Sequence, residues 1–206
     1  MRFGVACEAG SPPAEVLDLL EAAGLPVAQL GAEKAPALLR HAGVAWFLGS
    51  AADVLRACDR GALDAGVVGS DGLLERRHGV ADLLDLRCCR DALVFAGVAT
   101  VRADRRLRIA TRHPETALRH FAAAGAQPEI VTVDEPALAP ELGVADAVVE
   151  LRSRLTAARR GMEPLDEREE IASCSARLVA ARAARVLLRD EINGLAHDLR
   201  AVLEGR

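Results

Sequence analysis

The 206-residue chain has no tyrosine, one tryptophan and four phenylalanines, so aromatic side chains make up only 2% of it. Its core must therefore be aliphatic, and stacking on a nucleobase is limited to Phe3, Trp46, Phe47, Phe95 and Phe121. Positive charge is not in excess: the net charge is −4, and Lys34 is the only lysine among 26 basic residues. That excludes the basic footprint of a general nucleic-acid binder. A local arginine pocket for a small anion remains open. No apolar run approaches the roughly 20 residues that span a bilayer, and MRFGVACEAGSPP lacks the apolar stretch of a signal peptide. A cytoplasmic protein without membrane contact is expected. Cys7, Cys58, Cys88, Cys89 and Cys174 include no CxxC, and the adjacent pair makes poor zinc ligands. Buried free thiols and no metal ligands are expected. No Walker loop, no GxGxxG after a strand and no defensible Ser/His/Asp or Cys/His set is present.

What is present is globular: 51% hydrophobic and 27% charged residues. Short apolar runs predict strands at 3–7, 44–48, 64–69, 92–98, 107–111, 129–133 and 146–150. Helical spacing and Gly/Pro stops predict helices at 14–23, 51–60, 115–124, 172–188 and 191–203. This alternation predicts α/β architecture with largely parallel pairing. The units cluster before and after about Val98, with Arg102–Arg106 as a polar hinge. The expected division is 1–92 plus 172–206 as one lobe and 93–171 as the other, with a ligand cleft between them.

Three stretches carry candidate chemistry. DAGVVGSDGLLE (64–75) runs a buried strand into Gly69-Ser70-Asp71, a turn able to present amides to an anion, or an ordinary helix start. RIATRHPETALRHF (108–121) puts Thr111, Arg112 and His113 at a strand end, with Pro114 opening a helix. GVADAVVELRSRLTAARRG (143–161) ends a strand on Glu150, then offers hydroxyls at Ser153 and Thr156 and guanidiniums at Arg152 and Arg154. A carboxylate at a strand end accepts vicinal hydroxyls, and arginine suits phosphate.

Taken in order, VLDLLEAAGL, GALDAGVVGSDGLLE, RIATRHPETALRHF, LAPELGVADAVVEL and SCSARLVAARA resemble the catalytic subunit of ATP phosphoribosyltransferase in its short form, the first enzyme of histidine biosynthesis. The resemblance implies a two-lobed fold of the type II periplasmic-binding-protein kind, without the regulatory domain of the long form. It implies that ATP and phosphoribosyl pyrophosphate are joined through N1 of adenine, with Mg2+ and release of pyrophosphate. It further implies a homodimer that works with a histidyl-tRNA-synthetase-like regulatory subunit. Glu150 would be the catalytic residue holding the ribose hydroxyls. Asp146, Ser153, Arg154, Thr156 and Ala157 would bind the phosphoribosyl group. Gly69, Ser70, Asp71 and Thr111 would line the nucleotide wall of the cleft.

The chain departs from that pattern. The family's Thr-Gly-x-Thr-Leu loop falls on Arg154–Ala158, with Leu155 in the glycine position, which removes freedom for positive φ. Cys7–Gly10 stands where the family has Pro-Lys-Gly-Arg. Ser50 replaces an arginine ahead of Asp53-Val54, and the family's Cys-Arg is displaced around Arg87–Ala92. Arg152, Arg154 and Arg159 are the cations able to compensate. Two alternatives follow: a non-catalytic relative that binds an anionic ligand or regulates a homologue, and a phosphoribosyltransferase for another acceptor.

Overall fold

The computed structural model describes residues 1–7, 11–31, 36–76, 79–97 and 106–205. Residues 102–105 of the expected hinge, and 8–10, lie outside them. In chain order the elements are β1 (Arg2–Ala6), α1 (Ala14–Ala22), β2 (Leu38–His41), β3 (Val44–Gly49), α2 (Ala51–Asp59), β4 (Ala65–Gly69), α3 (Ser70–Glu75), β5 (Val80–Asp85) and β6 (Asp91–Gly97). They continue with β7 (Arg108–Thr111), α4 (Pro114–Ala123), β8 (Glu129–Thr132), a 3-10 turn at Pro136–Leu138, β9 (Ala147–Leu151) and α5 (Arg152–Ala158). The last are β10 (Asp166–Cys174), β11 (Ala176–Ala181), α6 (Ala184–Leu187) and α7 (Arg189–Glu204).

The chain forms two compact units. The first holds Met1–Leu73, Arg77–Arg90 and Ser175–Arg206, and the second Leu74–Arg76 and Asp91–Cys174. Against the expected division, the chain passes between units at 90/91 and 174/175, and α3 straddles a passage at 73/74.

The first unit is built on a six-stranded sheet, ordered β2-β3-β1-β4-β11-β5. Its aliphatic core carries one aromatic pair, Phe3 edge-on to Trp46 at 5.4 Å. Gly4 and Gly66 are register partners on β1 and β4. A Cβ on Gly66 would sit 2.7 Å from the Gly4 carbonyl oxygen and 2.9 Å from Val54 of α2, so the helix seats here only on bare backbone. Ser50 accepts a hydrogen bond from the Asp53 amide (3.1 Å) and caps α2. The residue in the family's arginine position therefore has a structural use.

The second unit has a five-stranded sheet, β10-β6-β9-β7-β8. Both sheets are mixed, which corrects the expectation of largely parallel pairing. Parallel pairs are confined to β3-β1-β4 and β9-β7-β8, and the rest are antiparallel. The helix expected over 172–188 is also overturned: the segment is the end of β10, all of β11 and the four-residue α6. Alanine-rich sequence favours helix locally. Here β11 lies between β4 and β5, and small buried residues on both faces fit that interior position. Strand β10 escapes the sequence pattern because DEREE is charged and exposed, as suits an edge strand.

Asp64 ties the N-terminus to the first sheet. Its carboxylate accepts from the Arg2 amide (2.7 Å) and side chain (2.5 Å). Burial pushes its pKa up, but the Arg2 hydrogen bonds and charge and the N-terminal ammonium outweigh that and hold it below the usual 3.8. A depressed carboxylate adds stability above its unfolded-state value, lost as pH falls through the folded one. Asp64→Asn is expected to cost about 1 kcal/mol at pH 7, since Arg2 is half exposed. Urea melts across pH should show the gap to the parent closing below about pH 4. A gap unchanged down to pH 2 would contradict the linkage.

Candidate active site

Strand β9 is central in the second sheet, and all five of its residues are buried. Ala147, Val149 and Leu151 pack into one core cluster, and Val148 into another on the opposite face with Leu155 of α5. Period-two alternation puts Glu150 on the Val148 face. Glu150 is 2% exposed, although it carries a carboxylate. Thr111 pairs in register with Val149, so the next residue, Arg112, comes level with Glu150. Arg112 Nε lies 3.6 Å from one carboxylate oxygen and His113 Nε2 4.0 Å from the other. The Leu151 amide donates to Glu150 Oε1 at 2.8 Å. Burial pushes the Glu150 pKa above its ordinary 4.5. The Leu151 amide, His113, Arg154 and Arg112 pull against that without cancelling it.

The arrangement is a buried carboxylate set beside an arginine and a histidine. An ionised carboxylate offers about four lone pairs, and among the described residues Glu150 accepts one hydrogen bond. Arg112 Nε is buried without a hydrogen bond, while its other end binds Glu135 at 3.0 Å. A ligand carrying hydroxyls beside a negative charge matches this set.

Other sequence-based expectations are placed differently. Asp146 immediately precedes β9, four residues or roughly 13 Å from Glu150 along the extended chain. Its carboxylate is clasped by the Arg108 guanidinium at 3.1 Å and amide at 3.1 Å. Thr111 is fully buried. Its hydroxyl donates to the Val149 carbonyl and accepts from the His113 amide, both at 2.8 Å, so it ties β7 to β9 rather than facing a ligand.

The hydroxyl-bearing loop expected after Glu150 is helix α5, which begins at Arg152 directly after the strand. Leu155 fills the core under it, which is why this stretch folds as a helix rather than as an open glycine loop. Ser153 donates to Asp91 at 2.5 Å, and Thr156 turns back onto the Arg152 carbonyl at 2.9 Å. Ala157 is exposed on the same helix. Arg152 is held by Glu167 (2.7 Å) and Glu170 (3.2 Å) of β10. Arg159 is buried on the Ala137 and Glu163 carbonyls and Glu141. Of the three compensating arginines, Arg154 is the one whose charge acts on Glu150.

Gly69, Ser70 and Asp71 belong to the first unit. A Cβ on Gly69 would meet the Asp71 carboxylate at 2.2 Å. The Ser70 amide donates to the Ser175 carbonyl (2.9 Å), and the Ser175 amide donates to Ser70 Oγ (3.1 Å), a reciprocal clasp.

The local sequence puts Arg112 and His113 at a strand end, and the pairing of β7 with β9 joins them to Glu150. The available signal was that parallel neighbours bring their carboxyl ends together. Asp91 and Glu75 carried no signal. Glu75 accepts from the Glu115 (2.9 Å) and Thr116 (3.0 Å) amides, capping α4 where His113 has no side-chain cap. Glu75→Ala is expected to cost about 1 kcal/mol and to speed amide exchange selectively in the first turn of α4. Exchange unchanged there would refute the cap.

A family model described as ATP phosphoribosyltransferase matches residues 50–201. An ATP phosphoribosyltransferase of Rubrobacter xylanophilus is 34% identical over 191 residues, covering 88% of this chain and 87% of that protein. Among solved structures, the ATP phosphoribosyl transferase (HisG:HisZ) complex from Thermotoga maritima contains a similar chain. Its TM-score is 0.81 at 21% identity, with 100% of this chain and 98% of that one covered. The GluR0 ligand-binding core from Nostoc punctiforme, solved with L-glutamate, gives a TM-score of 0.61 at 14% identity over 100% and 93%. The fold is thus shared with two-lobed ligand-binding proteins of the type II kind.

Proposed function

The chain belongs to the ATP phosphoribosyltransferase family, and from that premise we propose that it transfers the phosphoribosyl group to ATP at the Glu150 end of β9. The observation that carries the site is a buried carboxylate beside Arg112 and His113 and within the field of the Arg154 charge. In the reaction, the bond from the anomeric carbon to the pyrophosphate oxygen breaks and a bond to N1 of adenine forms. Glu150 accepts the ribose hydroxyls and fixes the sugar for in-line displacement. Arg112 and Arg154 offset the charge that grows on the leaving pyrophosphate. No acid is needed to protonate that leaving group, because it departs as an anion. His113 keeps the Glu150 carboxylate oriented.

Magnesium enters this reading with the pyrophosphate. Mg2+ keeps its waters and prefers substrate phosphates with one or two carboxylates. The cluster of potential metal ligands among the described residues, Glu15, Cys88 and Cys89, is a soft set that does not suit it. The reading also includes a homodimer, a HisZ-type regulatory partner like that named in the Thermotoga maritima complex, and a cytoplasmic location. Among the described residues no helix is long and apolar enough to cross a membrane.

One feature favours a second reading, a ligand-binding relative without turnover. The amide and hydroxyl of Ser153, at the start of α5, are already taken by Asp91. Pyrophosphate release separates the two. Purified protein with phosphoribosyl pyrophosphate, ATP and Mg2+, alone and with a HisZ-type subunit, is expected to release pyrophosphate in step with phosphoribosyl-ATP. Folded protein that binds phosphoribosyl pyrophosphate yet releases none in either setting would establish the second reading. Release only with a non-adenine acceptor would replace ATP as the substrate.

A further inference from the structure

The turn between β5 and β6 carries a feature that the transfer reaction does not use. Adjacent side chains on strand backbone point to opposite faces, so neighbouring cysteines are ordinarily poor partners for one ligand. Here Arg87 and Cys89 both adopt left-handed backbone, with φ of 54° and 51°. Neither is glycine, and such conformations persist only where the surroundings enforce them. The Cys89 amide donates to Glu15 Oε2 at 2.9 Å, which anchors the turn to the start of α1. As a result the Cys88 sulfur, the Cys89 sulfur and a Glu15 carboxylate oxygen all lie within 4.8 Å of one another.

We propose that Glu15, Cys88 and Cys89 form a binding site for a borderline-soft divalent cation of the Zn2+ class. The donor set fits. Two thiolates and one carboxylate suit a tetrahedral d10 ion and leave the fourth position for water or an incoming ligand. A metal–sulfur distance of about 2.3 Å puts tetrahedral donors roughly 3.8 Å apart. The three groups need to close by no more than about 1 Å, which side-chain rotation supplies. Cys88 is buried and Glu15 exposed, so the ion would sit at the surface with an apolar floor. Two thiol protons leave as two sulfur–metal bonds form. Two thiolates, a carboxylate and a divalent ion carry −1 together, and Arg87 and Arg90 flank the pair in sequence to offset it. The site belongs to the first unit, whereas Glu150 belongs to the second.

The test uses the full chain, reduced and stripped of metal, titrated with Co2+ and Cd2+. One equivalent per chain should produce tetrahedral Co2+ absorption and a thiolate-to-Cd2+ charge-transfer band, together with a rise in melting temperature. Cys89→Ser should abolish both bands. Glu15→Gln should weaken Co2+ binding by at least the roughly tenfold that loss of a supporting group costs. Cys58→Ser, which alters a buried thiol elsewhere, should leave the titration unchanged. Circular dichroism confirms that each variant is folded. Bands that survive Cys89→Ser, or a folded, reduced parent that takes up no metal, would overturn the site.

Discussion

Glu150→Gln is expected to cut kcat/KM sharply and at the same time raise the melting temperature at neutral pH. The activity side follows from what the carboxylate does for the sugar. Two charge-assisted hydrogen bonds to ribose hydroxyls are worth about 3 kcal/mol or more together, roughly a hundredfold or greater loss in kcat/KM. The amide keeps the shape of the side chain but loses the charge. The stability side has the opposite sign. Glu150 is buried, and its pKa is raised. A raised carboxylate contributes stability that is fully present below its unfolded value near 4.5 and is lost as pH rises through the folded value. At pH 7 the ionised form is therefore the costly one, and glutamine removes that cost. Each pKa unit is about 1.4 kcal/mol, and each kcal/mol moves the midpoint of a chain this size by roughly 2–4 °C. Thermal melts from pH 4.5 to 8 should show the variant gaining on the parent as pH rises. A variant less stable than the parent at pH 8, or a difference flat with pH, would mean that Glu150 is held ionised by structural partners and is not kept poised for a substrate.

Arg159→Met should act the other way, on stability and not on substrate. The arginine side chain is 4% exposed and binds two carbonyls and Glu141 across the turn that follows α5. Methionine fills comparable volume but leaves the Ala137 and Glu163 oxygens without their donor. Breaking such a buried set costs about 3–5 kcal/mol, a fall in midpoint of roughly 6–20 °C. Below the transition, KM for phosphoribosyl pyrophosphate should match the parent. A KM raised tenfold with an unchanged midpoint would restore Arg159 to the phosphate site. Arg154→Met is the contrasting variant, expected to raise KM for phosphoribosyl pyrophosphate, since the Arg154 charge acts on Glu150.

Much of the fold was legible because apolar runs of strand length and helices bounded by Gly or Pro are local signals. Strands β1, β3, β4, β6, β7, β8 and β9 and helices α1, α2, α4 and α7 all lie within a residue or two of their expected positions. The misses share a cause. Segment 172–188 has the composition of a helix and became strand because its neighbours in the sheet supplied both hydrogen bonds and cover. Strand β10 is polar because one edge of it faces water, and β2 is a short, largely exposed edge strand. Pairing partners distant in the chain decide such segments, and no local pattern reports them.

The same division runs through the sites. The sequence by itself determined that a carboxylate ends a buried strand at Glu150 and that Thr111-Arg112-His113 ends another, since both follow from runs of adjacent residues. It also determined the family, through five motifs in order. Only the tertiary structure decided which charges remain for a ligand. Arg152, Arg159, Asp146 and Ser153 all looked available in the sequence, and each is taken by a partner 15 to 62 residues away, or in Arg159's case by carbonyls 4 and 22 residues away. It was likewise the packing of α1 against the 87–90 turn, and not the pair of adjacent cysteines, that brought Glu15, Cys88 and Cys89 together. A charged side chain is satisfied by whatever reaches it within about 3 Å, and that distance is a property of the folded chain.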